Sequence, residues 1–423
     1  MQKLIINGGT KLKGEVQISG SKNAVLPIAV AAAILGDSLS VLHNVPNLTD
    51  VKTLSAVLEG LGASITRKNE SLYIEPINRM EYEAPYELVR QMRASIYVLG
   101  PLVAKLGKAK VSFPGGCAIG PRPVDLHIRG LEQLGADVDV KKGYIFAQAD
   151  RLVGADMDLT GQHGPSVGAT ANVMMAATLA DGTTVIRGAA REPHISDLAK
   201  FLTAMGADIE GIGTSVLTIR GVKQLHGTEH TVVSDDIEAG TFMVAGAITN
   251  GNVFVRGISQ QQIPAISEKL TEAGVHLEWN DKGVWVTVPD QLKAIDVTTV
   301  PFPGFPTDMQ AQIMGLMTLA SGSSTITENV HTDRFIHAAE LNRMGADIRL
   351  EGRKAIVNGV SYLSGAPVMA SDLRAGAVLV VAGMAAVGET VVSRIYHIDR
   401  GYEAIETKLN NLGANIVRVK DND

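Results

Sequence analysis

A sixfold internal repeat constrains this chain more than any other feature, and repeats of this length set an architecture before single elements do. The phrases LGAS at 61, LGAD at 134, MGAD at 205, AGVH at 273, MGAD at 344 and LGAN at 412 carry glycines at 62, 135, 206, 274, 345 and 413. The intervals between them are 73, 71, 68, 71 and 68 residues. A second phrase keeps step: GDSLSVLHNV from 36, GKAKVSFPGG from 107, DGTTVIRGAA from 181, NGNVFVRGIS from 250, SGSSTITENV from 321 and VGETVVSRIY from 387. Two independent phrases at one period make chance a poor explanation.

Each unit reads as one supersecondary block. A loop opens a helix rich in Ala, Val and Met, as in Asn23 to Leu35 or Val167 to Ala180, and a glycine ends it, as helix C-termini favour. A β-branched strand follows, such as Thr184 to Ile186, then a loop and a second, amphipathic helix such as Asp197 to Met205. The LGAD glycine and two further strands complete the unit. Such alternation defines an α/β protein. The segment LIINGGTKLKGEVQISG at 4–20 resembles AIVNGVSYLSGAPVMAS at 355–371, whereas the last unit stops at IVRVK. Residues 1–21 are therefore expected to complete the C-terminal unit. One three-unit domain then spans 22–231 and the other 1–21 plus 232–423, joined by two crossings that suit hinge motion around a cleft. An open six-unit solenoid is the alternative.

Composition narrows the class. Of 423 residues 45% are apolar, and the net charge of -6 is dispersed with no basic face of the kind that binds nucleic acid. The longest apolar run, Ala24 to Leu35, is a dozen residues, short of the roughly 20 that span a bilayer. The N-terminus MQKLIINGGT enters strand-like alternation at once, so no secretory leader is expected. One cysteine, Cys117, excludes an intrachain disulfide and fits a reducing compartment, here the cytoplasm.

Equivalent loops of a repeat should differ where function asks for it. The loops that open the first helices, SGSKNA (19–24), RQMRAS (90–95), HGPSVGA (163–169), SDDIEAG (234–240), FPTDMQA (305–311) and SDLRAG (371–376), carry Lys22, Arg93, Ser166, Asp235, Asp308, Asp372 and Arg374. Helix N-termini attract anions through unpaired N–H groups and the helix dipole, which suits a phosphate-bearing ligand. The loops before the second helices include FPGGCAIGPRPVDLH (113–127), GAAREPHISD (188–197), ENVHTDRF (328–335) and IYHIDRGYE (395–403). The first is long and Gly-rich and sets Cys117 five residues from Arg122, where a cation would favour thiolate. Plainer readings stand beside these. Cys117 could be a small buried hydrophobe, Asp235 and Asp372 simple N-caps, Lys22 and Arg93 solvated charges, and Arg400 the partner of Asp399. His127, His194, His331 and His397 lack metal-ligand spacing, so no metal is expected, and GGTKLKG and PGGCAIG match neither a phosphate loop nor a dinucleotide fingerprint.

The runs ISGSKNA (18–24), MRASIYVLGPL (92–102), PGGCAIGPRPVDLHIRGLEQLGA (114–136), VGAT (167–170), FPTDMQAQ (305–312), DLRAG (372–376) and RIYHIDRGYE (394–403) resemble the enolpyruvyl transferases that act on UDP-N-acetylglucosamine. The resemblance covers essentially the whole chain. It implies two inside-out α/β barrel domains, each of three similar units about a pseudo-threefold axis, with the active site between them. It implies phosphoenolpyruvate and UDP-N-acetylglucosamine as substrates, no cofactor, and the first committed step of peptidoglycan synthesis. By motif, Lys22, Arg122 and Arg400 would hold phosphoenolpyruvate and the leaving phosphate, with Asn23 beside them on the sugar. Arg93, the stretch Arg122, Pro123, Val124, Asp125 and Leu126, the stretch Ser166, Val167 and Gly168, then Asp308 and Val330 would bind the nucleotide sugar. Cys117 would protonate the methylene carbon and can form an adduct with phosphoenolpyruvate. Asp308 would take the proton of the sugar 3-hydroxyl, and Asp372 and Arg374 would line the same cleft. Gly164 stands where some members have Lys, and His194 where an acid is common. A sister transferase for shikimate 3-phosphate and a non-catalytic nucleotide-sugar-binding paralogue remain the rival readings.

Overall fold

In a computed structural model, residues 2–84, 86–89, 92–113 and 124–420 are described. They fall into two compact units, one of residues 20–113 and 124–233, the other of residues 2–19 and 234–420. Each has its own buried hydrophobic core.

The repeat is visible as geometry. In all six copies the phrase glycine takes a left-handed φ, from +90° to +106°. The N–H of the next residue then reaches back to a buried leucine carbonyl: Ala63 to Leu58, Ala136 to Leu131, Ala207 to Leu202, Val275 to Leu270, Ala346 to Leu341 and Ala414 to Leu409, at 3.0–3.1 Å. This Schellman closure needs a residue without a Cβ, and it buries the leucine that anchors the helix end. The second helix of the third copy begins at Pro193, not Asp197, because proline is preorganised for the first turn. Its first helix stops at Ala177, not Ala180.

The first helices of the copies form the centre of each unit. Lys22–Leu35 is buried along every residue from Ala24 on, as expected of a helix apolar on all sides. It packs with Leu99–Leu106 and Val167–Ala177 in one unit, and Asp236–Ile248, Gln310–Met317 and Leu373–Ala385 do the same in the other. The sheets lie outside these helices, so both units are inside-out α/β folds. Apart from the short antiparallel pair Thr160–Gly161 and Gly164–Pro165, the described sheets are built alike: a strand from the preceding copy runs parallel to the first strand of the next, followed by two antiparallel strands. One example is the order Asp156–Asp158, Thr183–Arg187, Val216–Arg220, Asp208–Glu210. In the second copy the leading strand shrinks to a bridge between Glu83 and Lys110.

Each set of three closes on itself. Glu229–Thr231, the tail of the third copy, runs parallel to Ser40–His43 of the first. In the other unit Gln2–Asn7 sits between Glu389–Ser393 and Asn415–Lys420, and Lys13–Gln17 runs parallel to Asn252–Arg256. Closed threefold sets are not an open solenoid. Among the described residues no helix is long and apolar enough to cross a membrane.

Candidate active site

In the unit of residues 20–233, Lys22 opens the first central helix. Its ammonium lies 3.4 Å from Asp50 Oδ2, with the two side chains only 13% and 5% exposed. It is drawn against a carboxylate and is not a solvated surface charge. Asn23 follows, half-buried. Arg93 heads the short helical turn Arg93–Val98, and its side chain lies outside what is described. Cys117, Arg122 and Pro123 lie outside the described residues altogether. Beyond them Val124 is buried, Asp125 is exposed at the first position of Asp125–Gln133, and Leu126 packs half-buried against the core.

Ser166 caps Val167–Ala177, its Oγ accepting the Ala169 N–H at 3.3 Å, so Val167 and Gly168 form the open first turn. Behind that turn sits His127. Asn172 accepts the Gly100 N–H at 2.7 Å and donates to the Ile96 carbonyl at 2.9 Å. Its remaining amide hydrogen points at His127 Nδ1, 3.0 Å away, which orients the imidazole. A Cβ at Gly168 would fall 2.9 Å from His127 Nε2, so the ring closes that position to any side chain. Gly164 has φ +98°, a conformation that disfavours any side chain there. His194 is buried in the first turn of Pro193–Ala204.

The unit of residues 2–19 and 234–420 gathers an acid and two arginines. Asp308 sits in the turn Thr307–Met309, just ahead of Gln310–Met317. Arg334 Nη1 donates to its Oδ1 at 2.7 Å, and Arg374 Nε and Nη2 donate to its Oδ2 at 3.2 and 3.1 Å. Arg374 is 2% exposed and lies over the Tyr402 ring, 5.3 Å from its centroid. Burial alone would lower the Arg374 pKa, but Tyr402, Asp308 and Asp235 more than offset it and hold the guanidinium charged. Arg334 was not singled out from the sequence. The signal was present: HTDR at 331–334 repeats as HIDR at 397–400, so Arg334 is the counterpart of Arg400 one copy earlier.

Asp372 and Asp235 are N-caps in fact. Asp372 accepts the N–H groups of Arg374 and Ala375, and Asp235 those of Ile237 and Glu238. Next to the second cap, Asp236 is pushed up to about 8 by burial and by the charge of Asp235. His337 is held down to about 4 by burial and remains neutral. Arg400 ends the turn Ile395–Arg400. The carboxylate of its neighbour Asp399 is taken by Arg418, at 2.9 and 2.7 Å, which removes the simple pairing of Arg400 with Asp399. Val330 is half-buried, and its N–H is bound to Glu328.

Closed threefold inside-out units that present a carboxylate, arginines and a lysine at helix starts define an enolpyruvyl-transferase fold. The model of the family EPSP synthase (3-phosphoshikimate 1-carboxyvinyltransferase) matches residues 6–409. The enolpyruvyl transferase NikO from Streptomyces tendae superposes with a TM-score of 0.89 at 25% identity, covering 99% of this chain and 98% of that one. An EPSP synthase from Acinetobacter baumannii, 19% identical with a TM-score of 0.79, shares the fold over 99% of this chain and 100% of its own. Two full-length relatives are much nearer in sequence. The UDP-N-acetylglucosamine 1-carboxyvinyltransferase of Lawsonia intracellularis is 53% identical over 100% of both chains. The protein of the same name from Granulibacter bethesdensis is 51% identical over 99% of this chain and 100% of its own. The chain belongs to the EPSP synthase family of enolpyruvyl transferases, and within it to the group of UDP-N-acetylglucosamine 1-carboxyvinyltransferases.

Proposed function

We propose that the protein transfers the enolpyruvyl group of phosphoenolpyruvate to the 3-hydroxyl of UDP-N-acetylglucosamine, with release of phosphate. The observation that carries this reading is Asp308, a carboxylate at a helix start gripped by Arg334 and Arg374, in a chain with full-length relatives of that activity's name. The chemistry is addition followed by elimination. A proton adds to the methylene carbon, the sugar oxygen bonds to the adjoining carbon, and loss of a proton and of phosphate restores the double bond. That needs an acid near carbon, a base near the hydroxyl and cations around phosphate. Cys117 is the acid and Asp308 the base. Lys22, Arg122 and Arg400 hold phosphoenolpyruvate and the phosphate it loses. Asn23, Arg93, Pro123, Val124, Asp125, Leu126, Ser166, Val167, Gly168 and Val330 take the nucleotide sugar. Arg374, and Asp372 through its cap on that helix, keep Asp308 in place. The reaction belongs in the cytoplasm, where it would open peptidoglycan synthesis and so bear on cell shape and division.

A substrate swap tests this. Phosphate should be released from phosphoenolpyruvate with UDP-N-acetylglucosamine and not with shikimate 3-phosphate. Turnover of the shikimate ester instead, or of neither acceptor, refutes it.

A further inference from the structure

Glu328 is fully buried at the end of the strand Ser323–Glu328, and no part of the chemistry above uses it. Its carboxylate nevertheless accepts four hydrogen bonds. Oε1 takes the Thr299 hydroxyl at 2.6 Å and the N–H groups of Val330 and His331 at 2.8 and 2.9 Å. Oε2 takes the Thr307 hydroxyl at 2.9 Å. A threonine hydroxyl has one hydrogen. With that hydrogen committed to Glu328, the Thr307 oxygen is left to accept, and Arg334 Nη1 donates to it at 3.0 Å. The same nitrogen donates to Asp308 Oδ1 at 2.7 Å. One buried carboxylate thus fixes two loops at once: the turn that carries Asp308, through Thr307 and Arg334, and the turn that carries Val330, through the backbone.

We propose that Glu328 and Thr307 are positioning residues for the transfer, a relay that orients Arg334 on the base Asp308 and keeps that base in register with the loop at Val330. The inference rests on Asp308 being the base. The relay is polar in one direction only. A group at 328 that offers a hydrogen to Thr307 would turn the hydroxyl hydrogen toward Arg334, where two donors would face each other. Neither residue touches the reacting atoms; each acts by where it puts one that does, and small misplacements of a catalytic group cost large factors in rate.

The test uses the full-length protein and phosphate release from both substrates, read as pH profiles of kcat. Thr307→Val, isosteric but without the hydroxyl, should lower kcat about tenfold to a hundredfold. It should also move the acid limb up by about half a pH unit or more, part of the roughly 1–3 units by which a neighbouring arginine lowers an aspartate. Glu328→Gln should shift the limb in the same direction, and Thr307→Ser, which keeps the hydroxyl, should restore both rate and profile. The position of a limb does not depend on how much enzyme is folded, so lost stability alone cannot imitate the result. An unmoved limb in Thr307→Val and Glu328→Gln, or a serine variant as impaired as the valine one, overturns the relay. Asp308→Asn separates the two levels of argument. If it loses turnover while Thr307→Val is silent, only the relay fails. If it keeps turnover, the assignment of the base fails and takes the relay with it.

Discussion

Replacing Arg374 with methionine should injure catalysis far more than stability. The guanidinium is 2% exposed and makes two N–H contacts to Asp308 Oδ2, at 3.2 and 3.1 Å. Methionine keeps the length and apolar bulk that pack on Tyr402 and removes a buried cation whose desolvation costs several kcal/mol. Against that gain, Asp308 loses one of the two arginines that hold it among the described residues. Stripping the partner from a fully buried charge costs about 3–5 kcal/mol. Asp308, however, is 29% exposed and keeps Arg334 at 2.7 Å, so the net loss should be about 1–2 kcal/mol. For a unit of this size that is about 2–8 °C in Tm. Turnover should fall about a hundredfold or more, because the carboxylate loses the two N–H groups that fix its Oδ2. Thermal melting with phosphate release on the same preparation measures both. A variant that cannot fold, or one that folds and turns over normally, refutes the reasoning.

Gly413→Ala should cost about 1 kcal/mol from its φ of +96° alone, since a Cβ there meets nothing within 4 Å. Gly62→Ala should cost clearly more, because its Cβ would lie 2.4 Å from the Arg79 carbonyl oxygen; equal losses in Tm would contradict that clash. Asp236 keeps its proton up to about pH 8 in the fold, whereas the unfolded chain releases it near pH 4. Its contribution to stability is therefore full at low pH and is lost as pH rises from about 4 to about 8. Asp236→Asn should gain Tm relative to the parent at pH 8.5 compared with pH 5, and a pH-independent difference would contradict the raised carboxyl. Cys117→Asp should keep activity and become insensitive to thiol alkylators, because a carboxylic acid can also donate the proton; an inactive but folded variant would refute the acid role.

The fold was legible because the same physical problem is solved six times. A helix that must stop and reverse needs a left-handed residue, and each of the six phrase glycines supplies it. The exact starts were less legible: Pro193 reads as a loop residue until it is seen to be the first residue of a helix. At the candidate site, comparison of equivalent loops picks out residues at helix starts, Lys22, Asp308, Asp372 and Arg374 among them. Arg334 escapes that comparison because it lies in a loop before a second helix, although the shared HxDR pattern ties it to Arg400. Glu328 left no sequence signal. A glutamate ending a β-branched strand looks solvated, and only the convergence of Thr299, Thr307, Val330 and His331 shows that it is buried and saturated. Asp235 and Asp372 show the converse, since a cap and a ligand-binding acid look alike before the N–H groups are placed.

In this mechanism the double bond of phosphoenolpyruvate is first saturated, by a proton at the methylene carbon and the sugar oxygen at the adjoining carbon, and then restored. Turnover of phosphoenolpyruvate and UDP-N-acetylglucosamine in heavy water, followed by proton NMR of the nucleotide product, tests it directly. Addition–elimination predicts a 3-O-vinyl product with deuterium in its methylene group and one phosphate released per vinyl group formed. A product whose methylene hydrogens all come from the starting phosphoenolpyruvate, or phosphate released without any vinyl ether, would contradict it.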